Sequence, residues 1–125
     1  MWVENKLDYV VHKGKQHGLN DHIDDLLTDN YKLVIVPDAG TNDIDECKKL
    51  QTKNIKVIVL DHHLCDIDNP YAIVINNQLS NYPNKELSGV GVVWQFCRYI
   101  DKLLQINSAD NYLDLVALGL NLYRG

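Results

Sequence analysis

No apolar run in the chain is longer than a strand. Runs such as Val57-Ile58-Val59-Leu60 fall far short of the ~20 residues a membrane-spanning helix needs. Met1-Trp2-Val3-Glu4-Asn5-Lys6 leaves no room for the apolar core of a signal peptide. The expectation is a cytoplasmic protein without a membrane partner. Cysteine is scarce: Cys47, Cys65 and Cys97 form an odd set without C-x-x-C spacing. That excludes a disulfide framework and a zinc-finger pattern, and reads as reduced thiols. Positive charge is short as well, 12 Lys plus Arg against 17 Asp plus Glu, for a net charge of -5. No global positive field draws such a chain onto nucleic acid or an anionic membrane, so a phosphate-bearing substrate must be held locally. The 7 glycines and 3 prolines gather into no linker, and there is no internal repeat, so residues 1–125 read as a single domain.

What is present is a balanced globular composition, 46% hydrophobic and 23% charged over 125 residues, enough for one compact core. Leu7-Asp8-Tyr9-Val10-Val11-His12 reads as a first strand. A short helix follows Asn20 or Asp21, with Ile23, Leu26 and Leu27 on one face. Leu33-Val34-Ile35-Val36 is a continuous β-branched run, the pattern of a strand covered on both faces, and Pro37 ends it. Asp43 and Glu46 have capping-box spacing before a helix that aligns Ile44, Cys47 and Leu50. Ile55 to Leu60 is a second buried run, so strand, helix and strand form a βαβ unit whose two strands are adjacent inner strands. Ala72 to Ile75 is a further strand, and the polar stretch from Asn76 to Leu87 faces substrate or merely connects. Ser88 opens a long amphipathic helix, and Ser108 caps a last one through Leu120. The fold class is α/β, a mainly parallel sheet flanked by helices in three layers.

In an open parallel sheet, ligands sit outside the carboxyl ends of the strands. Two such ends carry chemistry here: Asp38-Ala39-Gly40-Thr41 after the first buried run and Asp61-His62-His63 after the second. Neighbouring strands lie about 4.8 Å apart, which brings Asp38 and His62 within reach of one ion. Carboxylate plus imidazole suits Mn²⁺, Fe²⁺ or Zn²⁺. Taken singly, a strand-end Asp is a turn former and a His-His pair is loop chemistry; their joint placement is what points to a site. The cysteines are set aside as small core or loop residues, with Cys47 and Cys97 on apolar helix faces. His12, His17 and His22 lack the i,i+4 spacing of a helical metal pair and read as surface or structural. Trp94 and the tyrosines read as packing residues, because no basic stripe interleaves them. Gly89 and Gly91 beside Ser88 at a helix start could present backbone N–H groups to a phosphate, or could serve close helix packing.

Four segments together, Val36 to Asp43, Val59 to His63, Leu87 to Val92 and Leu113 to Gly119, resemble the DHH phosphoesterase superfamily and, within it, its RecJ-type exonucleases specific for single-stranded DNA. The resemblance runs in order from about Tyr9 to Gly119. It implies a two-metal phosphodiesterase, Mn²⁺-dependent with Mg²⁺ as the alternative ion, that releases nucleotides from a 5′ end of single-stranded DNA or acts on another phosphodiester. By position, it implies that Asp38 bridges the ions, His62 ligates one of them, Asp61 supports the metal shell and His63 faces the scissile phosphate. The pattern also departs from the family. No D-x-D motif precedes Asp38, Tyr123 stands about where the family has a further metal-binding Asp, and the separate substrate-binding domain has no counterpart. The expectation is therefore the middle part of a DHH catalytic domain, inefficient as a nuclease by itself. Three other readings stay open. One is a non-catalytic metal- or ligand-binding α/β module, and another is a pyrophosphatase or oligonucleotide phosphodiesterase of the same superfamily. A receiver-like domain built on Asp38 fits less well, given the His pair and the lack of a late-strand Lys.

Overall fold

A computed structural model of the chain describes residues 7–14 and 18–122. The readings made on Met1 to Lys6, His17 and Tyr123 lie outside the described residues. A 3₁₀ turn (Asn20–His22) leads into α1 (Ile23–Thr28). It is followed by β1 (Leu33–Pro37), α2 (Ile44–Thr52), β2 (Lys56–Asp61), β3 (Ile73–Asn76) and α3 (Gly89–Leu104), then a second 3₁₀ turn (Ala109–Tyr112) and α4 (Leu113–Leu122). The strands form one sheet in the order β1-β2-β3, parallel throughout. The register runs from Leu33 opposite Lys56 to Pro37 opposite Leu60, and from Ile58 opposite Ile73 to Asp61 opposite Asn76. The parallel α/β architecture expected from the alternation of apolar runs and amphipathic helices is the one observed.

The period-2 alternation of side chains sorts the sheet into two faces. Val36, Val57 and Val59 point into the main core, where they meet Cys47 and Leu50 of α2 and Leu19 and Ile23 ahead of and within α1. Leu50, Cys47 and Val59 have no exposed surface, and truncating a residue such as Leu50 to Ala costs about 2–5 kcal/mol. Leu60 points the other way and is also buried, as is Val92 of α3, which packs on that side of β2. That second face is only partly covered: Leu33, Ile35 and Ile73 are about half exposed or more.

Among the described residues β1 is thus an edge strand and not the inner strand its composition suggests, and only β2 is flanked on both sides. An apolar β-branched run reports that a strand expects cover, not which neighbours it has. Residues 7–13 form no strand: among the described residues no strand lies alongside to supply a ladder, and Leu7, Tyr9, Val10 and Val11 are exposed. The strand ends move by one residue, β2 reaching Asp61 and β3 reaching Asn76.

The caps differ more. Ser88 caps α3 as expected, its Oγ accepting from the Gly91 N–H at 3.4 Å. Asp43 stands at the start of α2 without capping it; its Oδ2 accepts instead from the Leu19 N–H, at 2.8 Å, and ties the α1 segment to α2. Ser108 does not cap through its side chain either. Its hydroxyl donates to Asp101 Oδ1, while the N–H groups of Ser108 and Ala109 donate to Asp101 Oδ2 at 2.8 and 2.7 Å. A carboxylate from the preceding helix thus does the capping and fixes the α3–α4 corner. Cys97 is exposed rather than packed, Cys47 is buried and Cys65 half-buried, and all three are free thiols.

Candidate metal centre

Adjacent strand ends bring the site together. Asp38 follows β1 with φ 60°, a left-handed conformation that Asp tolerates better than most residues. Its N–H still donates to the Leu60 carbonyl at 2.8 Å, so the turn stays clamped to the end of β2. Two residues on, Gly40 has φ 101°, and a Cβ there would lie 3.0 Å from Val36 Cγ1 and 3.3 Å from Val59 Cγ2. Only glycine allows the chain to fold back this closely over the core.

Asp38 Oδ1 lies 3.1 Å from His62 Nε2, the carboxylate largely exposed and the ring nearly buried. Asp38, His62 and His63 each offer a ligand atom, all within 4.8 Å of one another. Bonds of about 2.0–2.2 Å to a borderline divalent ion place neighbouring ligand atoms about 3 Å apart, a spacing the Asp38–His62 pair already has. One carboxylate and two imidazoles are a donor set for Mn²⁺, Fe²⁺ or Zn²⁺. The residues present therefore fit one such ion.

Asp61 stands behind this group. Its carboxylate is buried and accepts at Oδ1 from the N–H of His62 at 2.8 Å and of His63 at 3.2 Å. The same oxygen lies 2.6 Å from His63 Nδ1. Oδ2 accepts from the Thr41 hydroxyl at 2.8 Å and the Thr41 N–H at 3.2 Å. Burial alone would raise its pKa, but the His63 ring, the Thr41 hydroxyl and the two backbone N–H groups outweigh it and hold the carboxyl below its ordinary value. An ionised Asp61 takes the proton-bearing side of His63 at Nδ1. That leaves Nε2 with the lone pair, the outer-shell arrangement by which carboxylates orient metal-binding imidazoles.

Thr41 and Asn76 were not picked out from the sequence. Asn76, the last residue of β3, donates through Nδ2 to Thr41 Oγ1 at 3.0 Å and to the His63 carbonyl at 2.9 Å. All three strand ends therefore contribute to one polar network. The signal was available: Asn76 sits where a parallel sheet places ligand-facing residues, directly after an apolar run.

Gly89 opens α3 against the Asp38 carboxylate, so close that a Cβ would overlap it. Ser88 is buried and spent on its capping bond, and Gly91 packs against the Leu87 side chain. The helix start thus meets the corner through Gly89, whereas Ser88 and Gly91 sit in the packing beneath it. Cys65 lies outside the ligand group. His12 and His22 form a ring pair of their own, with centroids 5.0 Å apart.

A parallel sheet whose strand ends gather a carboxylate, two imidazoles and a buried orienting aspartate has the donor set of a divalent-cation site. The chain belongs to the DHH family, matching its N-terminal domain over residues 2–120. It is 43% identical over 114 residues to a Bacillus subtilis (strain 168) protein named as an SPbeta prophage-derived single-strand DNA-specific exonuclease, YorK; the match covers 90% of this chain and 19% of that protein. It is 35% identical over 100 residues to the single-stranded-DNA-specific exonuclease RecJ of Haemophilus influenzae, covering 70% of this chain and 17% of that one. With the Escherichia coli exonuclease of the same name it shares 30% identity over 132 residues, covering 92% and 23%. The chain thus spans about one fifth of the length of these curated relatives. No solved structure matches it at a significant level. Among the described residues, no helix is long and apolar enough to cross a membrane.

Proposed function

We propose that this chain carries the metal-holding corner of a phosphodiesterase that acts on single-stranded DNA. The observation that supports this reading most is the 3.1 Å approach of Asp38 Oδ1 to His62 Nε2, with His63 in the same group, in a chain whose relatives are named as single-strand-specific exonucleases. Asp38 and His62 would hold a divalent ion, Mn²⁺ or in its place Mg²⁺, and Asp61 would orient His63 toward the scissile phosphate. When bound, such an ion supplies a Lewis acid that acidifies water and offsets phosphate charge. It also reconciles an acidic chain with a polyanionic substrate, because without a cation the strand-end corner repels phosphate. Release of nucleotides from a 5′ end and two-ion catalysis are parts of the same reading. Asp38 and His62 would serve one ion, and a second ion about 3.5–4 Å away needs further carboxylates. Efficient turnover then belongs to a longer polypeptide containing this segment, and a cytoplasmic setting is part of the same reading.

The test is binding and cleavage of a 5′-labelled single-stranded oligonucleotide with Mn²⁺ or with a chelator. The 125-residue chain should bind in a Mn²⁺-dependent manner with little cleavage, and a polypeptide of the relatives' length carrying this segment should release mononucleotides. Binding that is unchanged by chelation and by Asp38→Ala would remove the reading.

A further inference from the structure

α4 carries a glycine inside a helix, at Gly119. Apart from proline, glycine is the least favourable residue in a helix interior, and what Gly119 faces accounts for its place. A Cβ there would overlap Val90 Cγ1 and would lie 3.3 Å from Val90 Cβ and 3.9 Å from Ser88 Oγ. The bare backbone of Gly119 therefore lets α4 close onto the first turn of α3.

Gly89 lies between those two contacts in sequence and meets a different neighbour, the Asp38 carboxylate. Successive helix residues are turned by about 100°, so positions 88 and 90 stand to either side of position 89. An element that touches both lies on the face away from Gly89. The start of α3 is thus held between α4 on one face and Asp38 on the other, with a glycine at each contact. The backbones on both sides are fixed. The Asp38 N–H donates to the Leu60 carbonyl at 2.8 Å, and α4 is seated through Val116, which is 7% exposed. A push on the α3 start is therefore taken up by the exposed Asp38 carboxylate, which can turn. Turning parts Oδ1 from His62 Nε2, 3.1 Å away.

We propose that Gly119 is a positioning residue of the metal corner: the room it leaves for Val90 sets how near the start of α3 stands to Asp38, and so whether Asp38 and His62 converge on one cation. Gly119 lies outside the ligand group and acts through Val90 and Gly89. That a cation binds at the corner rests on the function proposed above, whereas the two glycine contacts and the approach of Asp38 to His62 do not.

The experiment reads Mn²⁺ affinity by calorimetry, and the Asp38 amide and His62 ring resonances of the metal-free ¹⁵N-labelled chain. Gly119→Ala should weaken Mn²⁺ binding about fivefold, within the range over which residues in contact couple, and should shift the Asp38 and His62 resonances. In a Val90→Ala background the same substitution should do neither, because the shorter side chain leaves the new methyl group its space. Val116→Ala loosens the same helix without adding bulk, and should lower the melting temperature with Mn²⁺ affinity unchanged. Should Gly119→Ala lose the parent circular dichroism, Val90→Ile, which enlarges the contact from the α3 side, takes its place with the same expected changes. If parent and variants alike fail to bind Mn²⁺ while the metal-free shifts appear, and vanish in the Val90→Ala background, the positioning stands and the cation reading fails. Unmoved Asp38 and His62 resonances, an equal loss in the Val90→Ala background, or a matching loss of affinity in Val116→Ala would overturn the positioning of Asp38 by Gly119.

Discussion

Asp61 grips His63 twice, accepting at the same Oδ1 from the backbone N–H at 3.2 Å and lying 2.6 Å from ring Nδ1. The double hold makes the His63 ring part of the end of β2 instead of a free loop side chain. Asp61→Ala should release it, leaving buried Thr41 donors unpaired and destabilising the chain by about 3 kcal/mol. Urea unfolding would read the loss. Imidazole ¹⁵N shifts should show neutral His63 leaving the Nδ1–H tautomer for the mixture of a free side chain.

Gly89 imposes a steric condition on Asp38. Its hydrogen faces the carboxylate where a methyl group would overlap it, and α3 gives the backbone no freedom to yield, since Ser88 fixes the helix start. Gly89→Ala should push Asp38 away from His62 and weaken Mn²⁺ binding about tenfold, an energy of about 1.4 kcal/mol, while circular dichroism stays that of the parent chain.

Asp101 supplies the pH dependence. The Ala109 and Ser108 N–H groups, with the Ser108 hydroxyl, hold its carboxyl below the ordinary value against a smaller opposing effect of burial. A depressed carboxyl stabilises the fold fully above its unfolded pKa of about 4. That stability is lost as pH falls through the window between the unfolded and the lower folded pKa. Asp101→Asn should therefore lower the melting temperature at pH 7, and the gap from the parent should close well below pH 4. A gap that persists undiminished in acid would show that the carboxylate's charge is not what caps the α3–α4 corner.

These predictions differ in how far the sequence foretold them. The pairing of Leu33–Pro37 with Lys56–Asp61 and the meeting of Asp38 with His62 were legible, because two apolar runs joined by one amphipathic helix leave a parallel βαβ unit as the natural arrangement. The edge position of β1 was not, since β-branched composition reflects burial preference and says nothing about neighbours. Asp43 carries a capping signature yet bonds to Leu19, and Ser108 yields its capping place to Asp101. A short polar side chain near a helix start satisfies whichever orphan donor the tertiary fold brings to it. Thr41 and Asn76 looked like ordinary turn residues, and only the convergence of three strand ends reveals that they hold Asp61 and His63.

The most direct test of the account is the Mn²⁺ binding isotherm of the 125-residue chain, read by calorimetry or water-proton relaxation, beside Asp38→Ala and His62→Ala. The account predicts one ion per parent chain and at least about tenfold weaker binding in each variant, with both variants retaining the parent fold because Asp38 is exposed and neither side chain belongs to the main core. Equal Mn²⁺ binding by all three proteins would place any metal elsewhere and contradict the account at its centre.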